Sequence, residues 1–427
     1  MKRRFAWIVV IAVALILPFT SFAGGSAEKS AQPATQAEPV KLSFWNGFTA
    51  SDGEVLRDIV NNFNSQNSGK IAINMDIMPW AVFYQKLPPA IATKTAPSFV
   101  IGGAADLLTF VPNNSIQSLD DFFSATGVSR DNFNSVSLQM GQYNGKQYML
   151  PMQTFYLVLY WNKDLFRAAG LDPERPPQTW DELADFATKT TKPAEGQYGF
   201  GVAVKTAPQT FASLIWGNGG DFVDLSVRKS VFNTPQNVKS YQYLRDLVVN
   251  RKVSPQSISG PELDNMIISG KLAMYMNGPW LINGLKTNKI NFGIARPPKG
   301  SAGQFTVLDG STYYIPITTA AREKAAVYEY LKYWESTQIG KEWSMRNGFP
   351  PFLNSVLGDP EVKSDPVLSQ MLGFSAIGRL FLPNLPGNSR ITSDVLWPSI
   401  EEVTTGSDPA TTVKSASDKI DAILSGT

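Results

Sequence analysis

Residues 41–103 read KLSFWNGFTASDGEVLRDIVNNFNSQNSGKIAINMDIMPWAVFYQKLPPAIATKTAPSFVIGG, and this stretch decides the fold class. Lys41 to Phe44 has the make-up of a strand that stops at Trp45, Asn46 and Gly47. From Asp52 to Ser65, apolar residues recur at Val55, Leu56, Ile59, Val60 and Phe63. That spacing predicts a helix, with Ser51 or Asp52 as its cap. IAINMDIM (71–78) alternates as a strand, residues 80–94 read as a helix interrupted by Pro88 and Pro89, and SFVIGG (98–103) reads as a third strand. Strand, helix, strand, helix, strand predicts an α/β protein built on a mostly parallel sheet. Ligands of such sheets bind outside the carboxyl ends of the strands. Trp45-Asn46-Gly47, Pro79-Trp80 and Gly102-Gly103 all fall at such ends.

The pattern continues downstream. Residues 156–170 read as a strand entering a short helix that Gly170 terminates, and Thr179 with Glu182 forms a capping box for the next helix. Residues 210–224 predict a helix ended by Gly217; 271–280 predict a strand ending in Trp280. Residues 289–298 and 311–319 read as strands, with Gly310 placed just before the second, and 320–336 read as an amphipathic helix. No internal repeat of 20–50 residues is present, which excludes a solenoid.

At 427 residues the chain exceeds the roughly 250–300 at which single cores stop growing, so two domains or lobes are expected. Lys2, Arg3 and Arg4 precede an apolar run from Phe5 to Phe19, and Ser21-Phe22-Ala23 offers small residues for cleavage. Residues 1–23 are thus expected to be a secretory signal peptide, and the small polar residues 24–39 a flexible tether. Losing the leader takes the formal charge from +2 to about −1, which gives no electrostatic reason for a nucleic-acid partner. The chain has no Cys and no His. Disulfides, thiol catalysis and a cysteine-borne lipid anchor are excluded, and the commonest zinc ligand is missing. A free periplasmic protein is expected, acting as a monomer, with no metal and no cofactor.

The chemistry-bearing residues point to binding. Trp45, Trp80, Trp216 and Trp280 each lie at a strand end or turn beside Gly, Pro or Asn. Aromatic faces with neighbouring amides such as Asn46 suit a sugar, whose apolar face stacks while its hydroxyls take directed hydrogen bonds. Arg346 and Arg379 could bind a ligand through bidentate hydrogen bonds, and Gly310 beside Asp309 could let backbone amides approach it. Asp120-Asp121 and Glu401-Glu402 resemble the carboxylate pair of a glycosidase, but the first pair reads better as a cap before a helix turn and the second as the continuation of a helix after Pro398. No G-x-S-x-G, phosphate loop or H-E-x-x-H is present, so nothing asks for an enzyme.

LSFWNGFT (42–49), SLDDFF (118–123) and YNGKQYMLPMQTFYLVLYWNKDLFRAAGLDPERPPQTWDEL (143–183) together carry a resemblance. WGNGGDFVD (216–224), SGKLAMYMNGPW (269–280), LDGSTYYIPITT (308–319) and RNGFPPF (346–352) follow in order. The chain resembles the extracellular solute-binding proteins of carbohydrate-type ABC importers, related to maltose- and glycerol-phosphate-binding proteins, over nearly all of residues 40–427. The resemblance implies a type II periplasmic binding protein fold, α/β in class, with two lobes that are each a mixed sheet flanked by helices. It implies an N-terminal lobe of 40–151 and 307–355 and a C-terminal lobe of 152–306 and 356–427. The ligand, a mono- or oligosaccharide or alternatively glycerol 3-phosphate, would lie between lobes that close on it and present a surface to the membrane permease. The implied cleft is lined by Trp45 and Asn46, Trp80, Trp216, Trp280 and the Asp309-Gly310 loop. Trp161-Asn162-Lys163 stands where many relatives have Tyr-Asn-Lys, and the lipid-anchor cysteine of many relatives is missing.

Overall fold

The first strand, β1 (Val40–Asn46), alternates as a half-buried strand must: Leu42, Phe44 and Asn46 turn inward, while Lys41, Ser43 and Trp45 turn to the other face. Phe44 stacks on Phe99 at 4.3 Å and meets Tyr313 and Tyr330 at 6.1 Å. Helix α1 (Ser51–Gln66) covers this face with Val55, Leu56, Ile59, Val60 and Phe63, all buried in the same core. Each such side chain contributes roughly 1.5–3 kcal/mol by leaving water. Neither predicted cap serves. Ala50 holds the cap position, and the Asp52 carboxylate turns back to accept from the Gly53 amide at 2.9 Å.

β2 (Ile71–Ile77) and β3 (Phe99–Gly103) both run parallel to β1. Between them, α2 (Trp80–Ala92) is one helix that carries Pro88 and Pro89 inside it. The predicted interruption does not occur. The prolines forfeit ladder hydrogen bonds, but Phe83, Leu87, Ala90 and Ile91 bury a continuous face that holds the helix together.

The chain then builds a second sheet. β4 (Leu150–Tyr156) belongs to the first sheet; one residue later β5 (Val158–Asn162) belongs to the second, with the Leu157 amide donating to the Val307 carbonyl at 3.1 Å between them. The second sheet comprises β5, β6 (Tyr198–Gly201), β7 (Leu272–Asn277) and β8 (Phe292–Ala295), in the order β8-β5-β7-β6, with only β6 and β7 parallel. The chain returns through β9 (Thr306–Tyr314), antiparallel to both β3 and β4. β10 (Gly378–Leu380) pairs parallel with β9, so this short piece of residues 356–427 is hydrogen-bonded into the first sheet. Both sheets are therefore mixed, with helices packed around them.

This architecture comes from a computed structural model that describes residues 38–204, 208–382 and 385–426. The expected leader and the tether up to residue 37 lie outside them. Among the described residues, no helix is long and apolar enough to cross a membrane.

Five further helices frame the site: α3 (Ala212–Gly217), α4 (Gly260–Ile268), α5 (Leu281–Thr287), α6 (Ala321–Trp334) and α7 (Thr337–Asn347). Trp161, Trp180, Trp334 and Trp343 are all buried in the core, which is the packing role their segments imply.

Candidate ligand-binding site

The parallel strands β1, β2 and β3 deliver their carboxyl ends to one place. Gly47 follows β1, and a Cβ there would lie 2.0 Å from the Trp80 ring, so only glycine lets that ring settle. Trp80 opens α2, and Tyr84 sits one turn on. The two rings stack at 5.8 Å and 24°, while Phe48 and Phe83 meet the Trp80 ring edge-on at 5.6 and 5.5 Å. Trp80 is thereby half-buried, and Tyr84, 39% exposed, is the more open ring.

The Tyr84 hydroxyl accepts from the Gly103 amide at 3.1 Å and bonds Asp106, which also accepts from the Tyr314 hydroxyl at 2.8 Å. Burial pushes the Asp106 carboxyl up to about 7, against the bonds from Tyr314, the Gly103 amide and Tyr84. Asp309 on β9 lies close enough to add to that rise. Its own carboxyl, pushed by burial to about 6, accepts from the Gly310 amide at 2.8 Å. Among the described residues neither carboxylate has an ion-pair partner. Opposite Asp309 across the β4–β9 pairing is Phe155, and the half-buried Trp280 meets Phe155 edge-on at 5.3 Å.

Trp280 also marks where the two halves meet. Ser51 on α1 donates to the Trp280 carbonyl at 3.1 Å, and Asn283 on α5 reaches the Ser51 carbonyl at 3.5 Å. Phe48, Ser51, Asp264, Trp280 and Asn283 are among the residues lining a cavity of ≈ 720 Å³ at this seam.

Of the sequence-predicted residues, Trp80, Trp280, Asp309 and Gly310 come together around these strand ends, and Trp45 is half-buried against the same core as Trp80 and Tyr314. Gly310 lies inside β9 rather than before a strand. A Cβ there would meet the Gln153 carbonyl oxygen and the Met140 methyl at 2.8 Å, so it is close packing that requires the glycine. Asn46 is turned away from Trp45. Consecutive strand residues face opposite sides, and Asn46 is wholly buried, with its Oδ1 taking the Phe48 amide at 3.1 Å. Stacking ring and neighbouring amide cannot form one wall.

Trp216 is 3% exposed, contrary to the expectation that its ring lines the cleft. Its indole donates to Asp221 at 3.1 Å, and the Arg379 guanidinium lies 4.7 Å over its ring while pairing with the same carboxylate. Arg346 points to α1, bound to Asp58 at 2.6 Å and Glu342 at 3.0 Å, and takes no part in the strand-end cluster. Asp120 accepts from the Gln147 amide and Asp121 binds Lys324 and Tyr328, while Glu401 and Glu402 lie within the helix Trp397–Thr404. Tyr84, Asp106, Tyr314 and Phe155 went unread in the sequence. Tyr84 had a signal, its i+4 spacing from Trp80, and Asp106 follows the strand-end glycines by three residues; Tyr314 and Phe155 had none.

Two mixed α/β sheets joined by crossing segments, with an aromatic and carboxylate cluster at the strand ends, define a two-lobed binding protein of the type II periplasmic class. The family model described as bacterial extracellular solute-binding protein matches residues 58–370, and the chain belongs to that family. The family is one of solute-binding proteins. The chain is 26% identical over 336 residues to the sn-glycerol-3-phosphate-binding periplasmic protein UgpB of Shigella dysenteriae, covering 73% of this chain and 74% of that one. It shares its fold with an ABC transporter solute-binding protein of Thermotoga lettingae bound with alpha-D-tagatose (TM-score 0.81, 23% identity, 90% of this chain and 100% of that one). Maltose-bound MalE3 of T. maritima is similar to the same degree (TM-score 0.81, 22% identity, 89% and 99%).

Proposed function

We propose that the chain is the periplasmic substrate-binding component of an ABC importer that captures a mono- or oligosaccharide between its lobes and delivers it to the permease. The lobes in this reading are 40–151 with 307–355 and 152–306 with 356–427, behind a cleaved leader and a tether. One observation carries the choice of ligand: among the described residues, Asp106 and Asp309 stand at the strand ends without a cation partner, next to the exposed Tyr84 ring. Carboxylates and tyrosine hydroxyls accept hydrogen bonds from sugar hydroxyls, and the ring offers a stacking face. A phosphate would meet two carboxyl groups there and, among the described residues, no cation to balance its charge.

Glycerol 3-phosphate is the second reading, favoured by the name of the Shigella relative. Against it, Arg346 and Arg379 are both held in ion pairs with protein carboxylates.

Closure on the ligand would follow from its contacts with both lobes, which shift an open–closed equilibrium toward the closed form. The test is a thermal-shift screen of mono- and oligosaccharides and glycerol 3-phosphate, followed by calorimetry on the hit. A saccharide should raise the melting temperature. Trp45→Ala and Trp280→Ala should each raise its Kd by about 10-fold or more while the cooperative melt persists. A shift with glycerol 3-phosphate alone, or unchanged affinity in both variants, defeats the reading.

A further inference from the structure

The seam beside Trp280 joins helices from different halves. α1 belongs to the first sheet's half and carries Asp52; α4 belongs to the second sheet's half and carries Asp264. The Ser51–Trp280 and Asn283–Ser51 hydrogen bonds hold α1 against α5, and α4 packs beside α5. Asp52 is 3% exposed, and its carboxylate takes the backbone amides of Gly53, at 2.9 Å, and of Asp52 itself. Asp264 lines the cavity and accepts from the Asn277 amide at 2.6 Å. Among the described residues neither carboxylate forms an ion pair.

The other charged and titratable groups around them leave the pair uncompensated. From α1, Glu54 and Arg57 line the cavity but are exposed. From α5, Lys286 is exposed; from α7, Arg346 is taken by Asp58 and Glu342. Behind Asp264 stand the hydroxyls of Tyr160 and Tyr275, both already turned to carbonyl oxygens, of Gly278 at 2.8 Å and Gly260 at 3.5 Å.

We infer that closing the two halves at this seam takes up a proton, held between Asp52 of one half and Asp264 of the other, so that acid favours the closed form. The electrostatics agree with the geometry. Burial pushes both carboxyls to about 7, and the charge of Asp52 adds to the rise at Asp264. Parting the halves removes that coupling and hydrates the seam, which returns the groups toward the ordinary value of about 4. The closed form therefore binds the extra proton between those limits. Its advantage is complete in acid and fades as pH climbs through 7.

The inference rests on the lobes opening and closing as proposed above, but its test needs no ligand. The chain has no cysteine, so spin labels can be placed at Asn61→Cys on α1 and Lys289→Cys beyond α5, both exposed positions. Double electron–electron resonance should show a short-distance population at pH 5.5. The closed-to-open ratio should fall by up to about 10-fold per pH unit between about pH 4 and 7, the slope of one proton, and level off above. In the isosteric D52N/D264N double variant the response should vanish. If that variant does not melt cooperatively, D264N alone, at a half-buried position, makes the same comparison. An unchanged distance distribution between pH 5.5 and 8.5 in the parent, or a pH response that survives in the variant, overturns the inference. Saccharide capture without the pH response defeats this inference alone; the pH response without saccharide capture defeats the transport reading alone.

Discussion

The Tyr84 and Trp216 clusters share a plan and differ in one component. Each sets an aromatic side chain against a carboxylate, Tyr84 with Asp106 and Trp216 with Asp221. The second also contains Arg379, which lies over the indole and neutralises the acid. The first contains no cation among the described residues, and a second carboxylate, Asp309, stands nearby. The result is a closed cluster and an open one: Trp216 is 3% exposed and Tyr84 39%. The cation, more than the aromatic, decides which cluster is finished within the protein and which retains hydrogen-bonding capacity for a ligand.

The largest effect expected from this contrast is on stability. Trp216→Ala removes a buried indole with its bond to Asp221 and its contact with Arg379, so it should cost about 3–5 kcal/mol, read by urea unfolding. Tyr84→Ala, at an exposed ring, should cost well under half of that. Equal losses would mean that Tyr84 is as much a core residue as Trp216, and the contrast would fail.

A sharper test uses pH. The folded-state carboxyls of Asp106 and Asp309 sit at about 7 and about 6, above the ordinary value of about 4 in an unfolded chain. The folded protein thus holds more protons than the unfolded chain between about pH 4 and 7, and stability should decline as pH rises through that window. Carboxylates held below the ordinary range, such as Asp164 with Asn291 and Arg167 against it, act only in more acid solution. Urea unfolding at pH 5, 6 and 7.5 should show the decline, and Asp106→Asn should reduce its slope by about one proton. Stability that is flat or rises over the same window would show that Asp106 is not held protonated.

These clusters also mark where the sequence stops being legible. The order of β1, α1 and β2 could be read because period 2 and period 3.6 are local. α2 was misread at Pro88-Pro89 because its cohesion comes from Phe83, Leu87 and Ile91 packing elsewhere. β9 was read only from Ser311, since Asp309-Gly310 has the chemistry of a turn; the crowding by Met140 and Gln153 that requires Gly310 is not a local property. The pairing of Trp45 with Asn46 failed on strand parity, which the sequence did contain. Trp216 failed for the opposite reason: Arg379 lies 158 residues from Asp221, and no local pattern says which ring a distant guanidinium will cover.

The smallest expected effect comes from the other arginine singled out in the sequence, Arg346. Arg346 is bound by Asp58 and Glu342 on a partly exposed surface, with side-chain exposures of 39%, 55% and 29%. Exposed pairs of this kind contribute about 0–1 kcal/mol, because water screens the charges and ordering long side chains opposes the gain. Arg346→Ala should therefore change stability by no more than about 1 kcal/mol. It should leave saccharide Kd unchanged by calorimetry, because neither partner of the guanidinium belongs to the strand-end cluster. A 10-fold loss of affinity for any ligand would place Arg346 in the binding surface. If that ligand were a polyol phosphate, the argument from occupied arginines would fail with it, and the open carboxylates would need another explanation.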